Sequence, residues 1–248
     1  MRVHGWKNEM RITILTIFPE MFADFVKEPV IARAVARKFV TLETVDIRSF
    51  AGGSFRHIDD DSYGGGAGMV MRCGPVLDAL ESVRTKDSYV AVMTPAGRRY
   101  DQKQAHAFAK MSHLILICGH YEGLDERILH HADGAYTIGD YVLTGGELPA
   151  KVVCDSVIRL LPGVLRDAAT KEESFEQGLL EYPQYTKPRD WKGEKVPEVL
   201  LTGDHERIRV WRQKEALRIT RERRPDLLEG KPALSDKIKE SLKFSEKV

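Results

Sequence analysis

Short apolar runs of strand length, spaced so that helix-length segments fit between them, constrain this chain more than any other feature. Residues 11–18, Arg11-Ile12-Thr13-Ile14-Leu15-Thr16-Ile17-Phe18, read as a buried strand, and similar runs recur at 41–47, 88–93 and 113–118. Helical segments such as 75–84 and 101–110 lie between them. This alternation predicts an α/β domain with a mainly parallel sheet over 10–165. A longer amphipathic helix at 147–161 closes that domain, and Pro162-Gly163 stops it. Residues 1–9 carry no pattern and read as an extension, with Met10 as a second start. Residues 166–173 turn polar and irregular, as an interdomain linker would. Beyond them, over 174–248, helical signals dominate and predict a smaller helical domain. There Asp204 is a good N-cap for a helix over 205–223, halted by Pro225, and Ser235 caps a last helix running to Phe244.

With 248 residues and a hydrophobic fraction of 42%, the chain has enough apolar material for a real core. No run approaches the roughly 18 apolar residues of a bilayer span, and the N-terminus lacks the apolar segment of a secretory signal. A cytoplasmic protein without a membrane partner is expected. Cys73, Cys118 and Cys154 are isolated from one another, which excludes a disulfide framework and reads as three small buried hydrophobes. Net charge is only +1, so a nucleic-acid surface requires local segregation of charge. Between Lys187 and Arg224 bases outnumber acids, with Trp191 and Trp211 interleaved. A solvated helix face carrying ion pairs, such as Arg207 or Arg209 with Glu206, accounts for that segment equally well.

Three segments hold more glycine and acid than a scaffold requires. Asp59-Asp60-Asp61-Ser62-Tyr63-Gly64-Gly65-Gly66-Ala67-Gly68-Met69 is a loop whose successive N–H groups can face a phosphate or a base. It is no P-loop, because no Lys-Ser/Thr follows, and no Gly-x-Gly-x-x-Gly fingerprint stands between a strand and a helix. The second segment is an apolar run, Leu114-Ile115-Leu116-Ile117-Cys118, that ends in Gly119-His120-Tyr121-Glu122-Gly123 and then a helix start. The third, Tyr136 to Pro149, is a glycine-punctuated loop leading into the long helix, and Met93-Thr94-Pro95-Ala96-Gly97 ends another strand in the same way. Ligands collect at such strand ends, and backbone-rich loops suit a nucleoside cofactor better than a metal. His120, His130 and His131 form no ligand constellation and read as ordinary residues.

Four motifs in order at compatible spacing carry a resemblance that covers the chain from Met10 to its C-terminus. They are Ile17-Phe18-Pro19-Glu20-Met21-Phe22, Tyr63-Gly64-Gly65-Gly66-Ala67-Gly68-Met69, Cys118-Gly119-His120-Tyr121-Glu122-Gly123-Leu124-Asp125-Glu126-Arg127 and Ile138-Gly139-Asp140-Tyr141-Val142-Leu143-Thr144-Gly145-Gly146-Glu147-Leu148-Pro149-Ala150. The chain resembles the bacterial tRNA (guanine-N1)-methyltransferases, the TrmD family. That resemblance implies a SPOUT-type α/β domain with a deep trefoil knot and a homodimer with active sites at the interface. It implies S-adenosylmethionine held by Pro95, Gly119, Tyr121, Glu122, Ile138, Gly139, Tyr141, Leu143, Gly145 and Gly146. The implied target is the guanine 3′ of the anticodon in tRNA, position 37, with Asp59, Tyr63, Gly64, Gly65 and Gly66 near the base and Lys187, Arg212 and Arg218 at phosphates. Magnesium dependence also comes with the family, and Asp59 to Asp61 are the acids nearest to hand for it.

Methylation at guanine N1 needs a base for the N1 proton and a cation or donor at O6, where negative charge develops. The resemblance assigns O6 to Arg159, although Asp155, four residues earlier, can simply pair with it. The family's base is an aspartate in Asp-Ser-Phe, whereas this chain has Glu173-Ser174-Phe175. Glu173 is therefore the expected base, with Asp167 and Glu172 as alternatives. Two other readings stay open: a knotted methyltransferase acting on a ribose 2′-hydroxyl, and a catalytically silent tRNA-binding homologue, which the Glu173 departure makes conceivable.

Overall fold

The protein is described here from a computed structural model, over residues 9–52, 57–166, 170 and 173–229. Most of the expected N-terminal extension, the alternative bases Asp167 and Glu172, and the expected last helix from Ser235 to Phe244 lie outside the described residues. The chain divides into two compact units, Met1–Arg166 and Asp167–Val248.

In the first unit, β1 (Met10–Thr16), β2 (Val40–Asp46), β5 (Ser88–Arg99), β6 (His113–Cys118) and β7 (Gly134–Thr137) form one sheet in the order β2-β1-β6-β5-β7. Every pairing in it is parallel. The mainly parallel α/β architecture is thus the observed one. Helices α1 (Pro29–Ala36), α2 (Cys73–Val83), α3 (Gln102–Phe108) and α4 (Glu147–Ile158) complete the unit, and a two-stranded ribbon of β3 (Asp59–Asp61) and β4 (Met69–Met71) stands apart from the sheet.

The pleat explains why β6 is apolar at every position from Leu114 to Cys118. Leu114, Leu116 and Cys118 face a core with α4 residues Val153 and Val157, while Ile115 and Ile117 face another with Val76 and Leu80 of α2. A central parallel strand covered on both faces has no side left for polar residues.

The structure departs from the sequence expectations in five places. β5 runs six residues beyond the apolar run, to Arg99, with a register break against β7 between Met93 and Arg98. Thr94-Pro95-Ala96-Gly97 hides that continuation, since it lacks the apolar signal and Pro95 has no N–H to donate. β7 is only four residues long and begins with glycine, so it carries no strand pattern, and its last two residues fall in the expected 136–149 loop. β3 and β4 flank what reads as a single glycine-rich loop. Helix α4 ends at Ile158, with Arg159 as its C-cap, rather than continuing to residue 161. Among the cysteines, Cys118 and Cys154 are buried as expected, but Cys73 is only half-buried at the start of α2.

The second unit has a small core of Leu179, Ala216 and Leu217, with Tyr182 and Leu228 packed against it. Helix α5 (His205–Arg223) starts where Asp204 accepts a 3.0 Å bond from the Arg207 N–H and ends just before Pro225, as its sequence signals predict. A short ribbon pairs β8 (Asp190–Trp191) with β9 (Glu194–Lys195).

Candidate active site

The register break of β5 and the C-terminal ends of β6 and β7 open onto one cavity of about 310 Å³, within the roughly 300–1,000 Å³ range of small-molecule sites. Its walls are Met93 to Ala96 at the register break within β5, Gly119 to Leu124 after β6, Tyr136 to Ile138 at β7, Tyr141 to Gly146, and Pro149 of α4. Of the expected cofactor residues, Pro95, Gly119, Tyr121, Glu122, Ile138, Tyr141, Leu143, Gly145 and Gly146 all line it. Gly139 does not. Its carbonyl accepts from the Thr137 hydroxyl at 2.8 Å, which turns the chain between Ile138 and Tyr141 behind the wall.

Two loops are joined under the cavity. The Gly146 N–H donates to the Gly119 carbonyl at 2.8 Å, and His120 and Gly145 form an isolated antiparallel bridge. Gly146 is required there, since a Cβ would stand 2.7 Å from Cys118 Cα and 2.9 Å from Gly119 N. Much of the lining is therefore backbone, which presents donors and acceptors at fixed positions.

The lining and the residues packed directly behind Gly145 include two that the sequence reading did not assign to the site. His120 lines the cavity, with its ring 5.0 Å from that of Phe18. Glu147, the first residue of α4, is 1% exposed and accepts a 2.8 Å bond from the Thr16 hydroxyl. The signal for Glu147 was present as a carboxylate inside a quoted motif, but only burial distinguishes it from a helix-start acid on the surface. Beneath them the Cys118 thiol is pushed well up, first by burial and then by the nearby Glu147, so it stays protonated.

The glycine-rich segment is held beside this cavity. Glu122 N–H donates to Met69 O at 3.1 Å, Met71 N–H to Gly123 O at 2.9 Å, and Asp125 N–H to Met71 O at 3.0 Å. Thus β4 runs along the 122–125 wall and carries the loop with it. Tyr63, Gly64, Gly65 and Gly66 are exposed on that loop, Tyr63 fully so, and Asp59 is half-buried on β3. Asp125 is held down at about 2 by its paired Arg127, which fixes the end of the wall.

Arg159 does not line the cavity of its own chain. It caps the far end of α4, a helix of 12 residues and so roughly 18 Å long, while Gly146 caps the near end. Glu173 belongs to the second unit, where it lines a cavity of about 340 Å³ with Tyr182, His205, Arg209 and Arg212. Arg212 lies over the Tyr182 ring at 4.7 Å and is half-buried. Arg218 sits between Glu215 at 2.6 Å and Glu222 at 2.8 Å, so its charge is already offset and a phosphate must compete with two carboxylates. Arg209 pairs with Glu206, the ion pair anticipated for a solvated helix face. Lys187 is exposed.

Among the described residues no cluster of three or more His, Cys, Asp or Glu is arranged to hold a metal. Asp59, Asp60 and Asp61 follow one another along a strand, where successive side chains point to opposite faces, and do not supply a ligand set for magnesium.

Comparison with known proteins adds the decisive observation. Residues 10–230 match the tRNA (guanine-1)-methyltransferase TrmD family. The chain belongs to the TrmD family. A tRNA (guanine-N(1)-)-methyltransferase of Geobacillus kaustophilus is 51% identical over 242 residues, covering 96% of this chain and 99% of the relative. One from Listeria innocua is 50% identical over 241 residues, 94% of this chain and 98% of the relative. One from Dictyoglomus turgidum is 51% identical over 221 residues, 89% and 90% respectively. The family match spans both units, and three of the four motifs meet in one place. Motif residues Gly119 to Leu124, Ile138 and Tyr141 to Gly146 line the cavity, and Phe18 packs its ring against that of His120. No helix among the described residues is long and apolar enough to cross a membrane.

Proposed function

We propose that this enzyme transfers a methyl group from S-adenosylmethionine to N1 of the guanine 3′ of the anticodon, position 37, in tRNA, and that it acts in the cytoplasm. The observation that carries this reading is the convergence on one cavity of the irregular Met93–Ala96 segment of β5 and the loops after β6 and β7, in a chain of the TrmD family. The cavity suits the cofactor: backbone groups of Gly119, Gly145 and Gly146 face it, with Pro95, Ile138 and Leu143 as apolar walls for an adenosine and Glu122 and Tyr121 at its rim. S-adenosylmethionine supplies an electrophilic methyl on a sulfonium.

The residues of the chain then have two tasks. Glu173 takes the N1 proton, which frees an electron pair on a nitrogen that is not nucleophilic in the neutral base. Arg159 places its guanidinium against O6, where the resulting negative charge collects. Glutamate in place of the family's aspartate keeps the carboxylate and reaches one methylene further.

Arg159 and the cavity lie at opposite ends of α4, and this supports a homodimer in which one subunit supplies the cavity and its partner the arginine. Leu148, Val152, Asp155 and Arg159 follow the 4-3-4 spacing of a single helix face. On that face Leu148 is 51% and Val152 46% exposed, a stripe without cover in the described chain and suited to a second copy. The trefoil knot of SPOUT enzymes is part of the same proposal. It is supported by the return of 138–146 onto Gly119, where the Gly146 N–H meets the Gly119 carbonyl.

The test incubates the purified protein with S-adenosylmethionine, magnesium and unmodified tRNA bearing a guanine 3′ of the anticodon, and maps methylated nucleosides by mass spectrometry. N1-methylguanine from the wild type, lost in Glu173→Gln, is the expected result. A ribose-methylated product, or no product from a folded dimer, overturns the proposal.

A further inference from the structure

Trp191 lies in a part of the second unit that has no core to fill. It belongs to the β8–β9 ribbon, and every residue from Gln184 to Lys195 is exposed, Trp191 itself to 59%. The ribbon is nonetheless well made. Trp191 pairs with Glu194, and Lys192 and Gly193 between them have φ of 53° and 93°, the two positive values of a tight hairpin turn. Asp190 accepts from the Gly193 N–H at 2.8 Å, and the Val196 N–H donates to the Arg189 carbonyl at 2.9 Å. The fold thus presents a large aromatic ring on a fixed stalk to solvent.

The charges around the ring have one sign in excess. Lys187, Arg189, Lys192 and Lys195 are set against Asp190 and Glu194, and the Lys192 ammonium stands 5.4 Å from the Trp191 ring centroid. An aromatic platform among cations matches a single-stranded nucleic acid, whose bases offer π-faces and whose phosphates offer negative charge.

We propose that the 187–195 hairpin is an RNA-docking element, with Trp191 stacking on an unpaired base and Lys192 and Lys195 meeting the flanking phosphates. The inference rests on the tRNA reading above and adds to it a contact outside both cavities. A second copy of the chain is the other occupant an exposed tryptophan suits. The excess of cations, which would repel their own like in a symmetric contact, favours RNA.

The test uses the full-length protein and a single-stranded oligoribonucleotide carrying one 2-aminopurine, whose fluorescence falls on stacking. Wild type should quench it. Trp191→Ala should abolish the quenching and weaken binding about tenfold or more, and Trp191→Phe should retain most of it. Lys192→Ala and Lys195→Ala should each lower the slope of log Kd against log salt by about 0.7. In methyl transfer, Trp191→Ala should raise the KM for tRNA and leave the KM for S-adenosylmethionine and the rate at saturating tRNA unchanged. Equal binding by Trp191→Ala and wild type overturns the inference, as does a variant that turns a dimer into monomers, which would assign the hairpin to self-association. Quenching by a wild type that forms no N1-methylguanine would instead sink the methylation reading and leave the docking element standing.

Discussion

The Thr16 hydroxyl, at the end of β1, donates a 2.8 Å hydrogen bond to Glu147, 131 residues later at the start of α4. The same hydroxyl oxygen accepts from the Phe18 N–H at 3.0 Å, so one side chain ties the turn after β1 to the start of the helix that follows the cavity loop. Thr16→Val removes the donor from a carboxylate that is 1% exposed, and should cost about 1–3 kcal/mol. Urea unfolding measures this. A loss under 0.5 kcal/mol would mean that Glu147 finds its stabilisation elsewhere.

Gly146→Ala should cripple cofactor binding with little loss of secondary structure. The added methyl group meets backbone at Cys118 and Gly119 rather than a mobile side chain, so the two loops must separate. Calorimetric titration with S-adenosylmethionine should show affinity at least about tenfold weaker, in the range expected when tight packing is forced apart by 1–3 kcal/mol. Wild-type affinity would show that these loops separate without harm to the cavity.

His113 makes stability depend on pH. Its ring is buried at the opposite ends of the strands from the cavity, with Nε2 2.9 Å from the Thr13 hydroxyl, which itself donates to Glu43. Nε2 must therefore carry the proton, leaving Nδ1 to accept from Arg11 at 3.1 Å and from Ser88 at 2.7 Å. A second proton finds no acceptor there. Burial first, and then the Arg11 charge, lower the pKa to about 4 from the ordinary 6.5, with Glu43 opposing. The unfolded chain binds the proton more readily, so this contribution is complete above pH 6.5 and declines as pH falls from 6.5 toward 4. Denaturant unfolding at pH 7 and pH 5 should show a smaller drop in His113→Asn than in wild type. Equal drops would place the pH dependence on other groups.

Val152→Glu puts a charge in the centre of the exposed α4 stripe. It should convert a dimer into monomers by sedimentation, and methyl transfer should fall with it. Arg159→Ala and Gly146→Ala subunits, each inactive alone, should recover activity when co-expressed, because the mixed dimer holds one site with an intact cavity and an intact arginine. No recovery in a confirmed mixed dimer would place both residues in one subunit's site.

Much was legible in the sequence because the governing signals are local. The unbroken apolar run at Leu114 to Cys118 follows from a strand covered on both faces, and α5 begins and ends where Asp204 and Pro225 dictate. The motif residues were also legible, and nine of the ten expected cofactor residues line one cavity. β7 was not, because four residues starting with glycine carry too little pattern, and its place beside β5 is settled by pairing. His120 and Glu147 look ordinary in sequence, and only the approach of Phe18, Thr16 and Gly145 from distant parts of the chain gives them a site. Arg218 looks like a phosphate ligand until its neighbours on the helix surface are seen to hold it.

The sequence by itself determined the family, the parallel α/β class and the loops that carry the chemistry, since periodicity, capping and motif spacing are properties of neighbouring residues. Only the tertiary structure decided that three of those loops share a cavity, that Arg159 stands at the far end of α4 from it, and that Glu147 is buried against Thr16. Those relations join residues tens to more than a hundred positions apart, and they arise from packing both faces of one sheet, which no local pattern encodes.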